Sequence, residues 1–240
     1  MRKVYHPYGM VIVTIFILLL FFSCSARIDG VVREGGAAEL KLQTSMEPRT
    51  AALIRSMRGF MGEATNEPVL DGRAISLSMA AAPGVRSISL VNTGPEAMDG
   101  SISISNIGDF LASGGGTNRF IVFTEGRDAS SIVVTLDRTS APEIIARLSP
   151  EIEDYLQALM APVVVGDPDT RPEYIALISA VYGRPLANEI SEARIRASIE
   201  FPRPIKAIRG GNAVGRQAEF EIPLLDVLVL EQPLRYEVSW

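Results

Sequence analysis

The side chains with chemistry to offer are mostly carboxylates. Asp167, Asp169 and Glu173 fall in the segment Gly166-Asp-Pro-Asp-Thr-Arg-Pro-Glu173. Hard cations such as calcium take oxygen donors of this kind. The segment lacks the central glycine and alternating oxygens of an EF-hand loop, and a turn followed by a helix cap accounts for its acids, which helix N-termini favour. Glu151, Glu153 and Asp154 form a second acidic group. Paired carboxylates can run glycoside hydrolysis. Sites for sugars also present aromatic rings, and the one tryptophan here is Trp240. This second group fits the first turn of a predicted helix. The triple glycine at 114–116 has no Lys-Ser/Thr pair after it, so it reads as a loop and not as a phosphate cradle.

Two absences narrow the chemistry further. His6 is the only histidine and Cys24 the only cysteine. Beyond Cys24 there is no histidine for a Ser-His-Asp triad, a Cys-His pair or a histidine-bound zinc. Acid–base work would fall to carboxylates, tyrosines and the two remaining lysines, Lys41 and Lys206. The expectation is a protein that is not an enzyme and has neither a metal nor a cofactor. No intramolecular disulfide can form.

The first residues explain the lone cysteine. Arg2 and Lys3 precede an unbroken apolar run, Met10 to Phe22, then Ser23, Cys24, Ser25 and Ala26. A spanning helix needs about 20 apolar residues. A 13-residue run suits the apolar core of a signal peptide. This charged start, short apolar core and small residue before a cysteine resemble a bacterial lipoprotein signal peptide. Phe21 stands three before the cysteine, where leucine is usual, and in this the sequence is similar to the looser lipoboxes of spirochaete lipoproteins. The resemblance implies a signal peptide of residues 1–23 and lipid attachment at Cys24, with palmitate-type acyl chains. Two or more chains anchor stably, at about 0.8 kcal/mol per buried CH₂. An uncleaved anchor, or a plain signal peptide cut near Ala26, are the alternatives. Ser25 is not the aspartate that marks inner-membrane retention in enteric lipoproteins, so the resemblance favours the outer membrane or a periplasmic face of the cell envelope.

Cleavage before Cys24 would leave 217 of the 240 residues as a single domain, 24–240. Loss of Arg2 and Lys3 would take the formal charge from -5 to -7, which argues against nucleic acid as a partner. The basic residues that remain are almost all arginine.

The pattern of apolar residues predicts the elements. SARIDGVVRE, Gly35–Gly36 and AAELKLQTSM read as a hairpin, with Leu40 and Leu42 alternating against Glu39, Lys41 and Gln43. Residues 48–62 read as a helix with Leu53, Ile54, Met57, Phe60 and Met61 on one face; a basic amphipathic helix can lie on an anionic membrane, but packing on the sheet with its arginines in water is favoured, as globular helices usually look like this. VRSISLVN, SISISNI, RFIVFTEG and SSIVVTLDR read as strands, with Ile102, Ile104 and Ile107 on one face. Residues 140–191 read as a helical insertion, with capping boxes at Ser140–Glu143 and Thr170–Glu173, a helix from 149 to 160 and Gly183 as a stop. Strands return at ARIRASIEF, RQAEFEIPLLDVLVL and PLRYEVSW, the last with Leu234, Tyr236, Val238 and Trp240 on one face.

Strands, then helices, then strands predict an α+β fold, with a mainly antiparallel sheet and helices mostly on one side. The apolar run Ile222–Leu230, with Asp226 inside it, reads as core or as the lining of a lipid pocket. Three functions stay open. The first is a non-enzymatic, membrane-anchored envelope lipoprotein that binds an envelope protein partner or serves a structural role. The second is a lipid carrier with an apolar pocket. The third is a carboxylate-based envelope hydrolase.

Overall fold

A computed structural model of the chain describes residues 24–60, 68–112, 121–141, 156, 159–167 and 169–240. Strand β1 (Cys24–Val32) pairs with β2 (Ala38–Met46) as the predicted hairpin, with Cys24 opposite Met46 and Val32 opposite Ala38. The connection is a 3-10 turn, Glu34–Gly36, whose two glycines take φ of 77° and 76°. Only a residue without a Cβ takes that conformation freely. On β2 the inward residues are Leu42, Thr44 and Met46, and Glu39, Lys41, Gln43 and Ser45 face water.

Helix α1 (Pro48–Phe60) buries Ala51 and Ile54. One of its arginines is not left in water: Arg55 Nη1 lies 2.9 Å from Glu96, and both side chains are largely covered. Helix α2 (Gly72–Ala80) starts at Asp71, whose carboxylate accepts the N–H groups of Arg73 and Ala74. Strands β3 (Val85–Gly94) and β4 (Ala97–Ile104) follow. Ile107 is not on the strand face with Ile102 and Ile104. It opens helix α3 (Ile107–Ala112), because Asn106 Oδ1 accepts the Asp109 N–H at 3.0 Å and turns the chain. Strands β5 (Ile121–Thr124) and β6 (Ser131–Leu136) form the next hairpin.

The helical insertion contains α4 (Pro162–Val165), α5 (Arg171–Tyr182) and α6 (Arg184–Glu192). The predicted box at Thr170–Glu173 caps α5. At Ser140 the helix begins with Ala141, and Glu143, the other half of the predicted box, lies outside the described residues. Asp137 accepts the Ser140 N–H at 2.8 Å, and the Asp137 N–H donates to Ser140 Oγ at 3.1 Å, a reciprocal pair three residues before that box. Glu143 and the acidic group at 151–154 lie outside the described residues, as do Gly114–Gly116.

Strands β7 (Arg194–Glu200), β8 (Ala207–Arg209), β9 (Gly211–Val214) and β10 (Gln217–Pro223) come next. The apolar run after them is a helix, α7 (Leu224–Val229), and not a continued strand. Pro223 ends the ladder, and Leu224, Val227, Leu228 and Val229 are buried on all sides. An apolar run does not distinguish a buried strand from a buried helix. Leu230 closes α7 at φ 46° and ψ 45°. Strand β11 (Leu234–Ser239) is last.

The strands make two sheets, β3-β4-β2-β1-β7-β10-β9 and β5-β6-β11-β8. All pairings are antiparallel except β1 with β7, which is parallel. The fold is α+β with a mainly antiparallel sheet. Gly210, at φ 78°, is the corner where β8 of one sheet passes into β9 of the other; a Cβ there would run into the Tyr236 ring. One apolar cluster runs from Ala26 to Trp240 and takes in Ile28, Leu42, Met98 and Ile195 from the large sheet and Ile54, Ile178, Ile190 and Val227 from helices. Trp240 is buried beside Phe201, 4.5 Å between ring centroids, and exchanges two 3.0 Å backbone hydrogen bonds with Ser130.

Candidate functional site

Cys24 is the first residue of β1, and its backbone lies opposite Met46. Four other stretches of chain meet this end of the sheet. The Met46 N–H donates to the Glu96 carbonyl at 2.9 Å, which brings the β3–β4 turn to the corner between β2 and α1. Ala26 is level with Ile195 on the parallel strand β7, so the chain entering β7 at Ala193–Arg194 runs level with Cys24–Ser25. The Ala193 carbonyl accepts the Leu224 N–H at 3.0 Å, which adds the start of α7. Ser25, Ser45, Glu47 and Arg49 are exposed there.

The cations at this rim are matched by acids. Arg49 Nη1 reaches Glu189 at 3.1 Å, Arg55 Nη1 reaches Glu96 at 2.9 Å and Arg194 Nε reaches Glu221 at 3.8 Å. Glu189 is the unexpected member. Its side chain is 9 % exposed, and its second oxygen accepts both the N–H and the hydroxyl of Thr50 at 3.1 Å. It ties the first turn of α1 to α6. Its one sequence signal is position: three residues after Leu186, it flanks the buried stripe Leu186–Ala187–Ile190.

The outer face of the large sheet is polar. Arg27, Gln43 and Asp99 share one row across it; Asp29, Lys41, Ser101 and Ser198 share the next. Arg27 pairs with Asp29 at 2.8 Å, Arg196 with Glu221 at 3.0 Å, and Arg216 with Glu200. Antiparallel sheets commonly leave one face to water in this way.

Of the acids singled out in the sequence, Asp167, Asp169 and Glu173 are among the described residues. Glu173 accepts the Thr170 hydroxyl at 2.6 Å and the Thr170 N–H at 2.8 Å, and these bonds hold its carboxyl below the usual carboxylate range. Asp169 contributes its carbonyl, which accepts from Arg138 Nη2 at 2.9 Å. The segment is a turn and a cap. Among the described residues, no three His, Cys, Asp or Glu side chains are grouped to hold a metal ion. Asp226, inside the apolar run, points to Arg171 at 2.8 Å, and Arg171 also lies 3.4 Å from Glu231. Burial, with a smaller contribution from the Asp226 charge, pushes the Tyr236 hydroxyl up to about 12. Arg138 holds the end of α7, its Nε donating to the carbonyls of Val229 and Leu230 at 3.2 and 3.1 Å. The run Ile222–Leu230 is thus packed into the shared core.

No protein-family model matches the chain. No curated protein matches it. Among solved structures it is similar to the folded domain of the Mycobacterium tuberculosis LppM protein, determined by NMR: 11% identity, 91% of this chain and 89% of that chain covered, TM-score 0.38. At that score the likeness assigns neither a family nor a function.

Proposed function

We propose that this protein is a lipid-anchored lipoprotein of the bacterial cell envelope, held to a membrane by acyl chains on Cys24, and that its folded part is a binding or structural module and not an enzyme. The observation that carries the reading is the order of Arg2, Lys3, the apolar run Met10–Phe22, Ser23 and Cys24. Among the described residues no helix is long and apolar enough to cross a membrane.

The non-enzymatic part of the proposal is supported by the chemistry at hand. Glu173 spends a carboxylate oxygen on the cap of a helix, and the nearly buried carboxylate of Glu189 spends its oxygens on Thr50 and Arg49. A catalytic carboxylate needs an oxygen free for the proton it moves.

Metabolic labelling with a clickable palmitate tests the anchor. Wild-type protein should take up label in the host membrane fraction, and Cys24→Ala should take up none and keep its signal segment. Equal labelling of the two, or none of the wild type, would remove the proposal.

A further inference from the structure

The end of the large sheet where β1 begins lacks a spacer. Cys24 is already in register with Met46, and the ladder continues without a break to Val32 opposite Ala38. An anchored cysteine that opens a strand leaves no slack between lipid and fold. A flexible tether of ten residues would let a domain wander roughly 17 Å, at about 5–6 Å times the square root of the length; here that length is zero. We propose that the rim formed by Cys24, the corner Met46–Arg49, the turn Gly94–Ala97 and the junction Ala193–Arg194 is the surface that rests on the phospholipid headgroups. This rests on the anchor reading above and adds an orientation to it.

The far end follows from strand length. Nine residues of β1 span roughly 27 Å at about 3.3 Å each, so the turn Glu34–Gly36 and the residues level with Val31 stand away from the bilayer. Val214 is one of them: it is opposite Gln217, Gln217 is opposite Glu200, and Glu200 is level with Val31. The charges at the rim bear on which headgroups it accepts. Arg49 and Arg55 each face a carboxylate, at 3.1 and 2.9 Å; Arg194 shares Glu221 with Arg196, at 3.8 and 3.0 Å, and the exposed Glu47 supplies a fourth acid against these four arginines. A rim neutralised in this way gains little from an anionic surface, which attracts unpaired basic clusters. The contact is imposed by the tether and is independent of lipid charge.

Cysteine probes test this cleanly, because lipid occupies the single native cysteine. Ser45→Cys puts a fluorophore on the rim, and Val214→Cys, at a side chain 83% exposed, puts one at the far end. Lipidated protein, purified from host membranes in detergent, is reconstituted in phosphatidylcholine vesicles carrying a headgroup-attached nitroxide quencher, with and without anionic lipid. The rim probe should be quenched several-fold more than the far probe, to the same extent in both lipid mixtures. Ten Gly/Ser residues inserted after Cys24 should bring the two probes together. Equal quenching without the insertion, in protein that floats with the vesicles and carries the acyl mass, would overturn the orientation and leave the anchor standing. Protein without the acyl mass would overturn both.

Discussion

Asp137 and Glu173 show what acids do in this molecule. Each carboxylate accepts a hydroxyl and at least one backbone N–H of its own turn, and each is held below the ordinary carboxylate range, chiefly by the hydroxyl bond from Thr139 or Thr170. A depressed folded value contributes stability that is complete above the unfolded value, about 4, and is lost as pH falls through the folded value. Asp137→Ala should therefore cost about 1 kcal/mol at pH 7. That gap, followed by thermal unfolding at several pH values, should hold steady down to about pH 5 and close below about 4. A gap that widened in acid would remove this account. The Thr170–Glu173 box was legible in the sequence because both partners lie within four residues. The pair at Asp137 and Ser140 is as local but was not read, because Asp137-Arg-Thr-Ser140 lacks the Glu or Gln that marks a capping box. Glu189 was not legible as a partner of Thr50, because the distance between them in sequence is 139 residues.

At the scale of elements, the exposed edges of the large sheet are handled differently. Strand β3 is ten residues long and forms one edge. Such an edge offers unpaired backbone groups to other chains. Helix α2 and the residues before it cover it: Ser76 Oγ accepts the Leu90 N–H at 2.9 Å, Asn92 Oδ1 accepts the Gly72 N–H at 3.1 Å, and Asn92 Nδ2 donates to the Leu70 carbonyl. The other edge, β9, is only four residues long. Asn92→Ala should loosen α2 from the edge. Hydrogen exchange should then quicken at Gly72 and Leu90 while β1 and β2 stay protected, and the protein should self-associate more at high concentration. Unchanged exchange at Gly72 would show that Asn92 is not what holds the start of α2. The strands of both hairpins were readable from alternation. The helix at Leu224–Val229 was not, because most of it is buried and Asp226, its one polar residue, is too little to set a period.

Over the whole molecule, the two sheets share one apolar cluster, and Trp240 is where the small sheet is tied in. Its ring lies against Phe201 and stacks at 6.4 Å with Phe123, and its backbone is bonded to Ser130. Trp240→Ala should cost about 3–5 kcal/mol, read as a lower urea midpoint with no change in far-ultraviolet dichroism at zero urea. A loss under about 1 kcal/mol would mean that the ring is replaceable there. The class of the fold was legible because runs of strands and of helices alternate along the chain. The parallel partnership of β1 and β7 was not. It joins residues about 170 apart, and nothing local distinguishes a strand that will be central from one that will be an edge.

That central place of β1 also sets a clock. A chain is made from its N-terminus, at about 5–20 residues per second. As soon as residue 46 has emerged, β1 can close on β2. Its other side must wait for β7 about 150 residues later, and the small sheet must wait for β11, its inner strand. For on the order of ten seconds at those rates, a strand carrying Ala26, Ile28 and Val32 has one side unpaired. The same delay would leave the chain loose enough for the export that the lipoprotein proposal requires.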